Sequence, residues 1–294
     1  MDGFPGEVMT MRKPGFISVI VTTYEWPQAL QRVLECLDRQ HDDRFEIVVA
    51  DDGSGPATAA VIGGFQQTAR IPVRHAWQPH QNFRAAESRN RAVAMSKGDY
   101  LVFLDGDCLT RPDFLAAHRA LSEPGWFVAG NRVLLSERFT TRLLSTPEAV
   151  ADWSARRPGA WLGARWRGDI NRFAPLLRLP ANWPRKGKPR EWHGAKTCNL
   201  AIWRDDFMQI DGFDESYVGW GHEDADLVVR LIHSGVCRKE GRFATSVIHL
   251  WHSAAPRQGL SDNERRLSEL LSGRRTHALS GISRHLATRT LAIN

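Results

Sequence analysis

The stretch Phe103-Leu104-Asp105-Gly106-Asp107 places two carboxylates one residue apart at the end of an apolar run. A strand end needs no such pair in order to fold. In an Asp-x-Asp triplet one carboxylate can ligate a hard divalent cation while the other binds a sugar hydroxyl or an outer-sphere water. Mn2+ and Mg2+ both prefer oxygen ligands. A second triplet, Asp224-Ala225-Asp226, directly follows Glu223, and His249 and His252 come after it. The ordinary alternative for either triplet is a solvated turn or a helix N-terminus, where aspartate is favoured anyway. A lone histidine is more often structural; two at this spacing after an acidic triplet favour at least one metal ligand. If residues 244–252 form one strand, His249 and His252 point to opposite faces and only one of them ligates.

Hydrophobic patterning supplies the elements that must carry these groups. FISVIVTTY (16–24) and FEIVVADDGS (45–54) are β-branched apolar runs, read as buried parallel strands. Pro27 suits the first turn of a helix ending near Asp38, and a second helix is expected to end at Thr68. IPVRHAW (71–77) is a weaker third strand, 84–97 a helix closed by Gly98, and DYLVFLD (99–105) a fourth strand. This alternation predicts a doubly wound α/β sheet, which binds ligands beyond the carboxyl ends of its strands. Thr22, Thr23, Asp51, Asp52, Asp105 and Asp107 would therefore gather at one crevice. Like charges brought together there repel unless a cation or donors lie between them. Further on, a helix is expected from about His222, a strand at 244–252 and a short amphipathic helix at 261–272.

The chain has 294 residues, a net charge of +6 and an ordinary apolar content of 42 %. No apolar stretch reaches the roughly 20 residues that cross a bilayer. The opening residues carry no apolar signal core, and the four scattered cysteines form no Cys-x-x-Cys pair. A cytoplasmic setting with reduced thiols is the expectation. Between 138 and 190, twelve Lys and Arg stand against three acids, with Trp153, Trp161, Trp166 and Trp183 among them. That stretch is either a solvated basic face or a surface for peripheral contact with an anionic membrane. A nicotinamide oxidoreductase is disfavoured because no Gly-x-Gly-x-x-Gly follows the first strand. A nucleic-acid binder is disfavoured because an acidic crevice repels phosphates.

Four segments then matter in their order: Ile-Ser-Val-Ile-Val-Thr-Thr-Tyr, Val-Val-Ala-Asp-Asp-Gly-Ser, Glu-Ser-Arg-Asn-Arg-Ala and Lys-Gly-Asp-Tyr-Leu-Val-Phe-Leu-Asp-Gly-Asp. Together, over about 16–115, they resemble the nucleotide-sugar-binding half of glycosyltransferase family 2. The resemblance implies a single A-type glycosyltransferase domain, Rossmann-like, with a mixed central sheet and an Arg/Trp-rich insertion. It also implies a UDP-sugar donor. Asp51 or Asp52 would accept the uracil N3–H, and Thr23 and Glu25 would wall the base and ribose. Arg89 would lie near the nucleotide, Asp105 would reach the ribose, and Asp107 would hold Mn2+ or Mg2+. The common family pattern has Asn where Glu25 stands.

In the second half, Gly219-Trp220-Gly221-His222-Glu223-Asp224 is similar to the Gly-Trp-Gly-x-Glu-Asp segment of the galactosyltransferase C-terminal region, over about 190–252. That resemblance implies inverting transfer, with Asp224 as general base and Glu223 holding the acceptor hydroxyl, though these two roles could swap. Trp220 would stack on a sugar or simply fill the core. His252, or failing it His249, matches a further metal ligand, and Asn199 a residue touching the donor sugar. The basic aromatic stretch suggests, as the acceptor, a growing polysaccharide or other glycan or a lipid-linked glycan at the inner membrane face. The chain divides on this reading into a tail (1–15), a nucleotide-sugar half (16–110), a catalytic and acceptor half (111–252) and a helical tail (253–294).

Overall fold

The computed structural model describes residues 12–146, 158–253 and 259–286. Strands β1 (Ile17–Thr23), β2 (Phe45–Asp51), β3 (Val73–Trp77) and β4 (Tyr100–Asp105) alternate with helices α1 (Pro27–Asp38), α2 (Pro56–Thr68) and α3 (Ala85–Met95). Short pieces follow: β5 (Cys108–Leu109), α4 (Phe114–Leu121), β6 (Trp126–Ala129), β7 (Arg132–Leu134), α5 (Glu137–Ser145) and α6 (Pro158–Trp166). The chain then returns through β8 (Asn199–Trp203), α7 (Arg204–Gln209), α8 (Glu223–His233), β9 (Cys237–Glu240), β10 (Val247–His249) and α9 (Leu260–Ser272).

Seven strands form one sheet in the order β3-β2-β1-β4-β8-β6-β9, mixed because β8 runs antiparallel to both β4 and β6. β1, β2 and β4 are parallel and buried on both faces, so their apolar runs are unbroken. Alternate residues serve opposite layers. Val19, Val21, Ile47 and Val102 join Leu30, Val33 and Leu34 of α1. Ile20, Val48, Leu101 and Phe103 join Val93 of α3, Phe207 of α7 and Leu227 of α8. The residues after Pro112 thus complete the same sheet that the first half begins.

A smaller sheet, β5-β10-β7, stands beside the carboxyl end of β4. The strand expected over 244–252 shrinks to Val247–His249. Ala244 and Thr245 turn back to donate to the Gly241 carbonyl, and the Leu250 N–H donates to the Asp107 carbonyl at 2.9 Å. The chain therefore leaves the strand right after His249, and the opposite-face argument for His249 and His252 fails.

In the Arg/Trp-rich stretch, Trp161 is 1 % exposed and belongs to the core, whereas Trp166 is 90 % exposed. Trp153 lies outside the described residues. Much of the positive charge is spent internally. Arg138 and Arg167 both pair with Asp169, Arg178 with Asp113, and Lys186 with Glu123. No helix among the described residues is long and apolar enough to cross a membrane.

Candidate active site

A cleft of about 840 Å³ opens at the carboxyl ends of β1, β2 and β4 and takes in the start of α8 and the end of β10. Its floor depends on Gly106. The Gly106 N–H donates to the Thr22 carbonyl at 2.7 Å, and a Cβ there would sit 2.9 Å from that same oxygen. Only glycine lets the Asp-x-Asp turn close on β1 in this way.

Arg89, 4 % exposed on α3, holds the cleft together. Its Nε donates to Thr22 Oγ1 at 2.9 Å and its terminal nitrogens to Glu223 Oε1 at 3.0 Å and Asp105 Oδ1 at 3.4 Å. One guanidinium thus bridges acids more than a hundred residues apart in the chain. Burial pushes both Asp105 and Glu223 above the usual carboxylate range; neighbouring acids add to this and Arg89 opposes it. The next residue, Asn90, turns the other way. It donates to the Phe213 carbonyl and to Glu215, and accepts from the Phe213 N–H. Gly212 has φ +69° and a Cβ there would meet Asn90 Oδ1 at 2.6 Å, so the Gly-Phe-Asp-Glu turn also needs its glycine.

Asp107, two residues beyond Asp105, meets two histidines instead of Arg89. His249 Nε2 is 3.4 Å and His252 Nε2 3.3 Å from Asp107 Oδ2, and the two rings are 5.2 Å apart. Pairing of His249 with Cys108 in the β5–β10 ladder brings the first histidine there, and the turn at Leu250 brings the second. Asp107, Cys108 and His249 lie close enough to share an ion. The Cys108 thiol is fully buried, and burial pushes its pKa well above the usual value. One carboxylate oxygen and two imidazole nitrogens suit Mn2+ better than the purely oxygen shell preferred by Mg2+.

Glu223 and Asp224 open α8, after His222 in a left-handed conformation. Asp224 Oδ2 is 3.6 Å from Lys196 Nζ, so it faces the cleft with a looser partner than Glu223 has. Asp226 turns into the core, where it pairs with the fully buried Arg230 and with Arg275. The second Asp-x-Asp triplet thus contributes a single acid to the cleft.

Other expected residues divide. Thr23, Asp52 and Trp220 line the cleft. Asp52 accepts from Gln78 Nε2 and the Arg84 N–H, both at 2.7 Å, and burial raises its carboxyl above the usual range. Asp51 does not line the cleft; it is fully buried between His75 Nε2 and the Ser54 N–H, both at 2.8 Å. Burial alone would raise Asp51, but these bonds outweigh it and hold the carboxyl below its usual range. Glu25 also stands outside the cleft lining, with its carboxylate accepting from the Gly55 N–H at 2.8 Å. Asn199 is 1 % exposed; its amide donates to the Asn131 and Thr245 carbonyls, and its oxygen meets His118 Nε2 at 3.2 Å. It braces the sheet beneath the cleft. Tyr24, expected at this strand end, also lines the cleft, its ring stacked on His80 at 4.4 Å, and lining residues not singled out from the sequence include Phe83, Arg132, Lys196 and Trp251. Trp251 between two candidate ligands was a legible signal; Arg132 and Lys196 lie in segments without a motif.

Residues 18–157 match the family described as Glycosyl transferase family 2, and 179–252 the family described as N-terminal domain of galactosyltransferase. The first half of the chain thus carries a glycosyltransferase family 2 segment and the second half a galactosyltransferase-type one. It is 31 % identical over 228 residues to a validoxylamine A glucosyltransferase of Streptomyces hygroscopicus subsp. jinggangensis, spanning 75 % of this chain and 52 % of that one. It is 26 % identical over 232 residues to the hyaluronan synthase of Pasteurella multocida, spanning 74 % and 23 %. The chain therefore covers about half, or less, of these relatives' lengths. In fold it resembles a Pyrobaculum calidifontis mannosyltransferase solved with GDP-Man and Mn2+ (TM-score 0.55, 19 % identity, 90 % of this chain and 63 % of that one). It also resembles S. aureus TarS 1-349 solved with UDP (TM-score 0.58, 12 % identity, 94 % and 72 %). The fold is that of the A-type glycosyltransferases.

Proposed function

We propose that this chain is an inverting, metal-dependent glycosyltransferase. It moves a hexosyl or N-acetylhexosaminyl unit from a UDP-sugar to a hydroxyl of a glycan or lipid-linked glycan. The observation that carries this reading is the Arg89 bridge, which puts the donor-type acid Asp105 and the acceptor-type acid Glu223 in one cleft. Asp107, His249 and His252 have the donor set to hold a divalent cation, and such a cation, when bound, neutralises charge on the leaving diphosphate.

Asp224 takes the proton from the acceptor hydroxyl. The freed oxygen pair forms the new bond to the anomeric carbon as the bond from that carbon to the diphosphate oxygen breaks on the opposite face. Asp224 suits the base better than Glu223 because Arg89 already occupies a Glu223 oxygen at 3.0 Å. Glu223 and Trp220 orient the acceptor. Asp52 faces the base, Thr23 lines the nucleotide side and Asp105 meets the ribose. Asp51, Glu25 and Asn199 act behind the cleft, as supports. Exposed Trp166 supports peripheral contact with an anionic membrane, and the pairing of Arg138 and Arg167 with Asp169 weakens that contact's electrostatic share.

Calorimetry with UDP, with and without Mn2+, tests the reading. The wild type should bind UDP in a Mn2+-dependent way, and Asp107→Ala should lose the Mn2+-dependent part. Mn2+-independent binding in both proteins would refute the metal assignment.

A further inference from the structure

Arg132 opens β7 and lines the cleft beside the Asp105 and Asp107 corner. Among the described residues its guanidinium makes one hydrogen bond, to the Cys198 Sγ at 3.9 Å, and no carboxylate oxygen lies within ion-pair distance of it. A thiol is a weak acceptor, so most of the five N–H donors of this side chain have no partner among the described residues. The contrast with Arg89 is direct: that arginine, in the same cleft, is fully committed to Thr22, Asp105 and Glu223. Burial works against the Arg132 charge, and nearby negative groups, Asp105 and Asp107 among them, sustain it. A half-buried guanidinium that stays charged, points into a cleft and lacks an anion is arranged to receive one. Its planar fork matches two oxygens of a phosphate.

We propose that Arg132 binds the diphosphate of the nucleotide donor, as a contact separate from the carboxylate–histidine cluster at Asp107. This inference rests on the donor reading above. The ligand chemistry is a diphosphate and not a carboxylate on the acceptor, because Arg132 pairs with Val247 in the β7–β10 ladder, two residues before His249 of the Asp107 cluster, whereas Lys196 stands with Asp224 at the other acid pair. Arg132 holds the leaving diphosphate in place as its bond to the anomeric carbon breaks, and takes up no proton in doing so.

The test is titration of wild type, Arg132→Gln and Arg132→Lys with uridine, UDP and inorganic pyrophosphate, each with Mn2+ and with chelator. Loss of a charged bidentate contact should weaken UDP and pyrophosphate about ten- to a hundredfold in Arg132→Gln, with uridine unchanged. Arg132→Lys should fall between. With chelator present, the preference of the wild type for UDP over uridine should vanish in Arg132→Gln. Equal UDP and pyrophosphate affinities in wild type and Arg132→Gln would overturn the proposal, as would a parallel loss of uridine. Wild-type binding of pyrophosphate but not uridine or UDP would instead sink the uracil donor while leaving the arginine's role measurable on pyrophosphate. Unchanged melting of both variants confirms that the fold is intact, since the Arg132 carbonyl and its contact with Arg172 survive substitution.

Discussion

The two Asp-x-Asp triplets have the same spelling and opposite fates. Asp105-Gly106-Asp107 ends a strand and turns, so both acids reach the cleft, one to Arg89 and one to the two histidines. Asp224-Ala225-Asp226 lies in the first turn of a helix, where successive residues are about 100° apart and i and i+2 face nearly opposite ways. Asp224 therefore meets the cleft while Asp226 is buried against Arg230 and Arg275. Spacing alone does not say what two carboxylates do; the backbone beneath them does.

Three experiments can break or sharpen that contrast. The largest effect should come from Asp224→Asn, which removes the proposed base and should lower turnover about 10²- to 10⁴-fold while UDP binding stays near wild type. Loss of UDP affinity in this variant would place Asp224 with the donor acids and erase the distinction between the triplets. Next is Asp226→Asn, which leaves the buried Arg230 without its charge partner and should cost about 3–5 kcal/mol of stability by urea denaturation. A stable Asp226→Asn protein without activity would show that both acids of the second triplet serve chemistry.

A third test concerns His118, another titratable group kept in the core. Burial lowers its pKa to about 3, against an ordinary value of 6.5. The unfolded chain takes up a proton below pH 6.5 and the folded chain does not. Its contribution is therefore intact above pH 6.5 and is lost as pH falls toward 3, by at most roughly 1.4 kcal/mol per pH unit. His118→Asn should flatten the slope of stability against pH in that window. An unchanged slope would mean that the histidine is protonated in the folded state.

Much of the site was legible because strand ends and motif acids are local. β1, β2 and β4 carry long apolar runs, and Thr23, Asp52, Asp105 and Asp107 follow from where those runs stop. The short strands β5, β7 and β10 span two or three residues, too few for any period to register, yet they bring His249 and Arg132 to the cleft. Asp51 and Asp52 are neighbours in sequence, but Asp51 ends β2 and Asp52 begins the turn after it, so one meets His75 and the other the crevice edge. Glu25 and Asn199 had motif positions, but Glu25 accepts from the Gly55 N–H and Asn199 binds two carbonyls and His118, partners that sequence cannot name.

The C-terminal residues make the same point at longer range. Arg275 pairs with Asp214 and Asp226, and the Leu279 N–H donates to Asp214, so the segment after α9 fastens both motif turns of the second half. By itself the sequence determined the parallel sheet, its crevice and the identity of most acids there, because burial and periodicity act over a few neighbouring residues. Which acids meet, which turn inward, that both histidines reach one carboxylate and that Arg132 lines the cleft with no carboxylate partner among the described residues were decided only in three dimensions. Those outcomes depend on contacts between segments tens to hundreds of residues apart, and side-chain pairing at that range leaves no local pattern.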